Sequence, residues 1–226
     1  RCNTNCIHCW IHTPKRKLPP SLINIKMDFS LYKNIVDDAV KLLCDEIIFQ
    51  GDGEPLLDSR FFKMARYARD KGLKILFFTN GILLDKEKAK KIIDLEINEI
   101  FCSLPAGTDK TYAEINSWQS KNTFHKIVDN LKNLVSLRNS LKRNKPWLQM
   151  SHVIHNLNYH ELEQMSKVDA YIGADKVRFY LVRLDENIKS LKLDRHHIEA
   201  MKKSLKRAAP YLKKEKIELQ NNIYFQ

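Results

Sequence analysis

Apolar residues recur every three or four positions in six stretches of the chain, a spacing that places them on one face of a helix. The first stretch follows Ser30, a suitable N-cap residue. The last contains Pro210, which is expected to break or end the helix because proline donates no backbone hydrogen bond. The pattern predicts helices over residues 31–43, 60–71, 85–95, 123–137, 160–170 and 194–212.

Five short runs rich in β-branched and aromatic residues separate these helices. Strands that alternate with single helices indicate β-α-β units and hence a parallel sheet. Right-handed crossovers wind such a sheet into either a doubly wound sheet or a barrel. The predicted strands cover residues 45–50, 74–78, 99–104, 147–154 and 176–182.

Length and composition favour one large α/β domain. The chain has 226 residues, 43% of them hydrophobic, which is enough for a sizeable core. It holds no apolar run of about 18 residues, so no membrane-spanning segment is predicted. Three of its five cysteines cluster within residues 2–9. This distribution favours the reducing cytoplasm and metal chemistry over a disulfide framework.

Basic residues outnumber acidic ones, 39 against 27, for a formal net charge of +12. They concentrate in P-K-R-K at 14–17, in L-K-R-N-K at 141–145 and in the last quarter of the chain. One interpretation is a solvated basic surface, and the other is attraction to an acidic peptide, a phosphorylated metabolite, an electron donor or a nucleic acid. Nucleic acid is weakly supported, because aromatic residues do not interleave with these runs.

The first ten residues, R-C-N-T-N-C-I-H-C-W, place Cys2, Cys6 and Cys9 in one short loop. A structural zinc site needs four ligands, and His8 or His12 could supply the fourth, although neither gives the usual zinc-finger spacing. Three thiolates in one loop suit three irons of a 4Fe–4S cluster whose fourth iron stays open. The motif alone favours the cluster and leaves zinc as the alternative.

Polar motifs follow at the ends of the next three predicted strands. G-D-G-E-P at 51–55 has glycines that allow close backbone approach, and Glu54 offers a carboxylate to an ammonium group. F-F-T-N-G at 77–81 and F-C-S-L at 101–104 add further polar side chains at loop mouths. Each motif alone is an ordinary loop, but their order after the cysteine loop is not.

In this combination the chain resembles the radical S-adenosylmethionine (radical SAM) superfamily over about residues 1–185. The resemblance implies that Cys2, Cys6 and Cys9 bind a 4Fe–4S cluster, whose open iron is chelated by the amino and carboxylate groups of S-adenosylmethionine (SAM). His8 takes the place of the family's aromatic residue beside the adenine. The other positions implied to contact SAM are Gly51, Asp52, Gly53 and Glu54, which match the family's Gly-Gly-Glu motif, and Thr79, Asn80 and Ser103.

The fold that the resemblance implies is a partial (β/α)6 TIM-like barrel of parallel strands. The family's first strand precedes the cysteine loop, so we expect the five predicted strands to be the second to the sixth and the chain to be a piece of a longer protein. The expected organisation is one radical SAM core domain over 1–226. It comprises a cluster loop at 1–12, βα units to about 185, and a basic helix and tail at about 190–226.

The activity implied is reductive cleavage of SAM to a 5′-deoxyadenosyl radical, which abstracts a hydrogen atom from a substrate. The strand-end motifs and the segment at 152–163 look most like the subgroup with a C-terminal SPASM or twitch domain. We therefore expect epimerisation, crosslinking or dehydrogenation of a peptide, protein or sugar natural product, with a reductant such as flavodoxin or ferredoxin. The alternatives are an RNA-modifying radical SAM enzyme and a non-catalytic zinc module that docks nucleic acid.

A few further residues have two interpretations each. Cys102 is either a buried core thiol or a hydrogen-atom donor. Arg178 and Tyr180 share one face of the fifth strand, where they contact either the substrate or solvent. His152 and His155 lie on opposite faces of their strand, so they are not expected to form a metal pair, although one of them can reach the cavity.

Overall fold

The computed structural model describes residues 1–19 and 25–221, and its centre is one parallel sheet. Six strands lie side by side in chain order, each parallel to the next. Over the described residues the last strand does not pair with the first, so the barrel is open. This confirms the predicted partial TIM-like barrel. The strands are β1 (Glu46–Phe49), β2 (Lys74–Thr79), β3 (Glu99–Ser103), β4 (Trp147–Ile154), β5 (Lys176–Leu181) and β6 (Glu218–Asn221).

Seven helices cover the sheet within the described part of the chain, including all six that the apolar pattern predicts. The short α4 was not predicted. Two 3₁₀ turns, Pro55–Leu57 and Lys189–Leu191, follow β1 and β5. The helices are α1 (Phe29–Lys41), α2 (Phe61–Asp70), α3 (Lys86–Asp94), α4 (Asp109–Ile115), α5 (Lys121–Ser140), α6 (Leu162–Ile172) and α7 (Arg195–Lys214).

Two predicted helix ends are wrong. The N-cap of α1 is Asp28, not Ser30, because the Asp28 carboxylate accepts the backbone N–H groups of Ser30 at 2.7 Å and Leu31 at 3.2 Å. Helix α7 does not break at Pro210 but continues to Lys214. Pro210 is exposed, so water can satisfy the carbonyl that its missing N–H leaves without a partner.

Strand alternation divides the sheet into a helix-covered face and a face towards the barrel interior. On β5, Val177 and Phe179 are fully buried beneath helices, while Arg178 and Tyr180 point the other way, as predicted. The carboxyl ends of the parallel strands meet at one end of the barrel, where the cysteine loop also lies. None of the helices over the described residues is long and apolar enough to cross a membrane.

Candidate functional site

A cavity of about 590 Å³ opens at the carboxyl ends of the strands. Its volume is in the range of a small-molecule site. Arg178 and Cys102 do not line it, whereas the other residues predicted to bind a cluster, SAM or a substrate do. Those lining residues are Cys2, Cys6, His8, Cys9, Gly51, Asp52, Gly53, Glu54, Thr79, Asn80, Ser103 and Tyr180.

The three clustered cysteines are half-buried in the cavity wall. The Thr4 hydroxyl lies 3.2 Å from Cys2 Sγ and 3.5 Å from Cys6 Sγ, and the His12 backbone N–H donates to Cys9 Sγ at 3.2 Å. Burial, reinforced by the charges of Cys2 and Cys9, raises the pKa of Cys6 to about 12. A thiolate there needs a compensating cation, and iron ligation supplies one. The donor set therefore fits a thiolate-bound iron cluster.

A single metal ion fits this site less well. Over residues 1–19 and 25–221, no three His, Cys, Asp or Glu side chains converge closely enough to hold one ion. Zinc needs each sulfur about 2.3 Å from the same centre, whereas a cluster binds each thiolate to a different iron and leaves the sulfurs apart. The three-cysteine donor set itself is that of a cluster rather than of a four-ligand structural zinc site.

The segment between α4 and α5 holds the cysteine loop in place. The Asn5 amide donates to Ser117 Oγ at 2.7 Å and accepts the Trp118 backbone N–H at 3.0 Å. The Ile7 backbone N–H bonds the carbonyl of Ile115 at the end of α4, at 3.0 Å. Sequence patterns gave no signal for these contacts, because they join residues more than 100 positions apart.

Gly53 lets the first residue of the cysteine loop rest against the end of β1. A Cβ at Gly53 would lie 2.0 Å from the carbonyl oxygen of Arg1, a separation too short for any side chain. That carbonyl instead accepts the backbone N–H of Glu54 at 3.0 Å. The glycine is required by close backbone approach, as predicted for this motif, but what approaches is the chain itself.

Glu54 is only 5% exposed and joins the ends of β1 and β2. One carboxylate oxygen accepts the Leu56 backbone N–H at 3.1 Å and the Thr79 hydroxyl at 2.8 Å. The other accepts the Asn80 backbone N–H at 2.7 Å. Burial raises the pKa of Glu54, and these three hydrogen bonds oppose that shift. A carboxylate has about four acceptor sites, so one remains for an ammonium group in the cavity.

Thr79 and Asn80 are both occupied by protein contacts. The Thr79 hydroxyl donates to Glu54 and accepts the Gly81 backbone N–H at 3.1 Å. The Asn80 amide donates to Asn3 in the cysteine loop at 2.7 Å, and its oxygen accepts the backbone N–H of Ile82 at 3.1 Å. The structure thus places them as supports of Glu54 and of the cysteine loop, and direct contact with SAM stays a prediction.

His8 lies in the cavity wall with His155 behind it. Their ring centroids are 5.5 Å apart, and the described residues offer no hydrogen-bond partner to His8 Nδ1 or His155 Nε2. Burial, followed by the neighbouring His155, lowers the pKa of His8 to about 3. Burial also lowers the pKa of His155 to about 4. Both rings are therefore neutral near pH 7, which suits a flat wall for an uncharged aromatic ligand.

Ser103 and Tyr180 reach the cavity from β3 and β5, on the face towards the barrel interior. Burial raises the pKa of Tyr180. Arg178 lies one layer deeper, with its guanidinium 5.4 Å from the Tyr180 ring centroid. In the strand register it pairs with Ser151, which in turn pairs with Ser103. Arg178 thus shares a row of the sheet with Ser103, but its own side chain does not line the cavity.

Cys102 and His152 face the helices. Cys102 is fully buried beside Gly81, whose hypothetical Cβ would lie 3.2 Å from its sulfur. Burial raises the pKa of the Cys102 thiol. The ring nitrogens of His152 lie 2.6 Å from the Leu104 carbonyl and 2.8 Å from an Asp169 oxygen. Both residues thus occupy the core outside the cavity, while His155, on the other face, is the histidine that approaches the site.

Sequence reasoning missed Asn116, which lies between α4 and α5. It is 1% exposed, lines the cavity, and its Oδ1 has no hydrogen-bond partner among the described residues. A buried acceptor of this kind is costly unless a ligand or water satisfies it. No local motif marks this position, because its role depends on how the α4–α5 segment packs against the cysteine loop.

Comparison with known proteins identifies the family. The model of the Radical SAM superfamily matches residues 1–168. A tungsten-containing aldehyde ferredoxin oxidoreductase cofactor-modifying protein of Pyrococcus furiosus is 28% identical over 177 residues, covering 77% of this chain and 47% of that protein. Mycofactocin maturase MftC of Mycolicibacterium smegmatis is 29% identical over 134 residues, covering 59% and 31%. This chain therefore spans less than half the length of either relative.

The fold has solved counterparts. Streptococcus suis SuiB bound to S-adenosylmethionine superposes with a TM-score of 0.73 at 12% identity, covering 98% of this chain and 48% of SuiB. SuiB bound to its precursor peptide SuiA gives a TM-score of 0.70 at 12% identity, covering 98% and 46%. At such identities the likeness concerns the fold. With the family match over residues 1–168, it follows that the chain belongs to the radical SAM superfamily, whose cofactors are a 4Fe–4S cluster and SAM.

Proposed function

We propose that this chain is the catalytic core of a radical SAM enzyme that abstracts a hydrogen atom from a peptide. The observation that carries the proposal is one cavity whose wall joins Cys2, Cys6 and Cys9 to the buried carboxylate of Glu54. The names of two similar proteins support a peptide: one is a maturase, and SuiB has been crystallised with a precursor peptide. Epimerisation, crosslinking and dehydrogenation all begin with such an abstraction.

In this proposal Cys2, Cys6 and Cys9 each ligate one iron of the 4Fe–4S cluster. Glu54 accepts a hydrogen bond from the amino group of SAM with its remaining acceptor site. Ser103 and Asn116 Oδ1, which has no hydrogen-bond partner among the described residues, offer further polar contacts in the same wall. When bound, the reduced cluster and SAM supply a one-electron cleavage that produces a hydrogen-abstracting radical.

The remaining wall residues protect and orient the reacting groups. Ile11 and Val153, each less than a tenth exposed, line the cavity together with Phe78, and their apolar side chains exclude water that would compete with the substrate. Tyr180 is the proposed substrate contact in the wall, and Arg178, one layer deeper, is proposed to support it. Cys102 is not proposed as a hydrogen donor, because it lies on the helix-covered face.

The electron must come from a one-electron carrier such as a flavodoxin or ferredoxin, which we propose as a partner. Membership of the SPASM or twitch subgroup also stays a proposal. It rests on the strand-end motifs, since no cysteine follows Cys102 within the 226 residues to ligate an auxiliary cluster. Nothing in the site favours RNA over a peptide, so RNA modification remains the alternative that the test must separate.

Deuterium transfer tests the proposal and does not require the substrate to be identified first. The anaerobically reconstituted protein is incubated with SAM, dithionite and a peptide fraction from bacteria grown in heavy water. We expect 5′-deoxyadenosine to gain one deuterium, detected by mass spectrometry. Parallel reactions contain the RNA fraction or the small-molecule fraction of the same cells. Deuterium arriving from either of these, and not from the peptides, would contradict the proposal.

A further inference from the structure

Two segments border the cavity mouth, and we call them the lip segments. They are residues 10–19, which continue from the cysteine loop, and residues 182–192, which follow β5. Trp10, Ile11 and His12 of the first line the cavity, and so do the residues at 182–185 of the second. The first segment also contains the basic run at 14–17, which the cluster and SAM leave without a role.

The lip segments are fixed to each other and to the barrel. Arg16 Nη2 lies 2.9 Å from a carboxylate oxygen of Asp185. The Lys15 ammonium donates to Ser190 Oγ at 3.2 Å. Ile188 and Leu191 of the second segment pack with Val182 and with Val153 of β4 in a small separate apolar cluster. The lips therefore form a defined surface rather than two independent loops.

Positive charge on this surface is not balanced by the protein. The two lip segments contain six basic residues and only two acidic ones. The acidic residues, Asp185 and Glu186, are already paired with Arg16 and Lys189, at 2.9 and 3.0 Å. Within the described ranges, the other four basic residues have no acidic partner within 4.0 Å, and all four are exposed. They are Lys15, Lys17, Arg183 and Lys192. Such an excess attracts an anionic partner.

Apolar side chains stand among these charges. Trp10 is 60% exposed and Leu184 is 40% exposed, and both line the mouth. Exposed tryptophan beside a pocket is a common anchor in protein recognition. Single-stranded nucleic-acid grooves instead present several aromatic side chains for successive bases, and Trp10 is the one tryptophan, tyrosine or phenylalanine among residues 10–19 and 182–192.

The size of the cavity also favours a peptide as the partner. A volume of about 590 Å³ holds roughly one small ligand, and SAM must occupy much of it. A substrate can then insert little more than one side chain, and the rest of it must lie on the mouth. A peptide meets this requirement, since a single residue can enter while its neighbours contact the lips.

We propose that the lip segments dock an acidic peptide, with carboxylates against Lys15, Lys17, Arg183 and Lys192 and an apolar residue on Trp10. This inference rests on the proposed function and adds the charge of the substrate to it. The peptide carries Asp or Glu on the residues that flank the one entering the cavity.

Fluorescence anisotropy on the reconstituted protein with SAM tests the docking. The probes are a short labelled peptide rich in Asp and Glu, the same peptide with Asn and Gln in their place, and an oligoribonucleotide of equal net charge. We expect the acidic peptide to bind most tightly, and raising the salt concentration to weaken its binding. At a fixed salt concentration, charge reversal on either lip segment should weaken binding of the acidic peptide by about tenfold relative to wild type. The variants are Lys15→Glu combined with Lys17→Glu, and separately Arg183→Glu.

The basic run at 141–145 provides the matched control. Lys142 and Lys145 are exposed just before β4, at the end of the sheet remote from the cavity. Lys142→Glu combined with Lys145→Glu should leave peptide binding unchanged. The inference is overturned if this control loses as much affinity as the lip variants, if the lip variants lose none, or if the oligoribonucleotide binds more tightly. If one of these outcomes occurs while deuterium is still transferred from peptides, only the docking is overturned and the proposed function stands.

Discussion

The carboxylate of Glu54 serves the site in two ways, because it braces the ends of β1 and β2 while keeping one acceptor site towards the cavity. Glu54→Ala removes both functions and leaves the backbone N–H groups of Leu56 and Asn80 without their acceptor. Glu54→Gln keeps the shape and one acceptor oxygen, but it removes the charge and replaces the other oxygen by an NH2 group, which cannot accept the backbone N–H of Asn80 or Leu56. We expect it to weaken SAM binding by about 10- to 100-fold, the value of one charge-assisted hydrogen bond, with iron content unchanged.

Equilibrium binding of SAM and iron analysis of the same preparations check this. Glu46 lies at the opposite, exposed end of β1, so Glu46→Gln is the control that should change neither quantity. Loss of iron from Glu54→Gln, or unchanged SAM affinity, would contradict the role given to Glu54.

His155 makes stability depend on pH. Its ring is fully buried, and burial lowers its pKa from 6.5 to about 4. Between these values the unfolded chain binds a proton at this residue and the folded chain does not, so the free energy of unfolding falls as the pH falls. His155→Phe should remove about 1.4 kcal/mol of that fall for each pH unit below 6.5.

Urea unfolding at about pH 7 and about pH 5.5 measures the difference. The exposed His196 provides the comparison, because His196→Phe should retain the wild-type fall in unfolding free energy. An equal pH dependence in His155→Phe and wild type would show that the His155 ring is not held neutral by burial.

The residue types at strand ends can be predicted from sequence, but their bonding partners cannot. The sequence indicates Thr79 and Asn80 as polar groups at a loop mouth, and both line the cavity. Their hydrogen bonds to Glu54 and Asn3 depend on how β1, β2 and the cysteine loop lie side by side. Local sequence carries no information on that arrangement.

At the scale of elements, Glu161 at the start of α6 clamps the beginning of α4. Its carboxylate accepts the backbone N–H of Gly107 at 2.8 Å and the hydroxyls of Thr108 and Thr111 at 2.8 and 2.7 Å. The other end of α4 bonds the cysteine loop through Ile115. Glu161 thus supports the cysteine loop through a whole helix, without touching it.

Glu161→Gln turns an acceptor into a donor opposite these donors. We expect a loss of about 1–3 kcal/mol in unfolding free energy and a reduced iron content after reconstitution. The Glu163 side chain, two residues along, pairs with Lys167 and Arg207 at the surface, so Glu163→Gln should change stability much less than Glu161→Gln does and leave iron content intact. Urea unfolding and iron analysis measure both variants. Equal effects of the two substitutions would refute the clamp.

The elements that sequence patterns miss are those with weak local periodicity. Strand β6 has the sequence E-L-Q-N, with a single apolar residue, and forms because β5 offers it a parallel edge. Helix α4 has seven residues, too few for a clear helical period. The long periodic helices and apolar strands, in contrast, are all predicted to within a few residues.

At the scale of the whole molecule, the fold gathers motifs that lie far apart in sequence around one cavity. Parallel strands in chain order bring their carboxyl ends to the same end of the barrel, which is why the motifs at 51–55, 77–81 and 101–104 meet the cysteine loop. Strand order makes this part predictable. The packing of Asn116 and His155 near the site is not, since it depends on side-chain contacts between distant segments.

The net charge of +12 also gains meaning at this scale. Most basic residues could serve solubility alone, but the unpaired ones on the lip segments stand at the entrance of the cavity. Substrate attraction should therefore weaken with salt, while the lips themselves stay joined by contacts such as Arg16–Asp185. The total charge alone does not distinguish basic residues that serve solubility from those that attract a substrate.

In the proposed function, three cysteines of one loop hold a cluster that cleaves SAM. The most direct measurement is iron content and 5′-deoxyadenosine formation, with dithionite as reductant, for wild type, Cys6→Ala and Cys44→Ala, the last at an exposed cysteine outside the site. We predict about four irons per chain and 5′-deoxyadenosine from wild type and Cys44→Ala, and neither from Cys6→Ala. Stoichiometric zinc without iron, or SAM cleavage that persists in Cys6→Ala, would contradict the account.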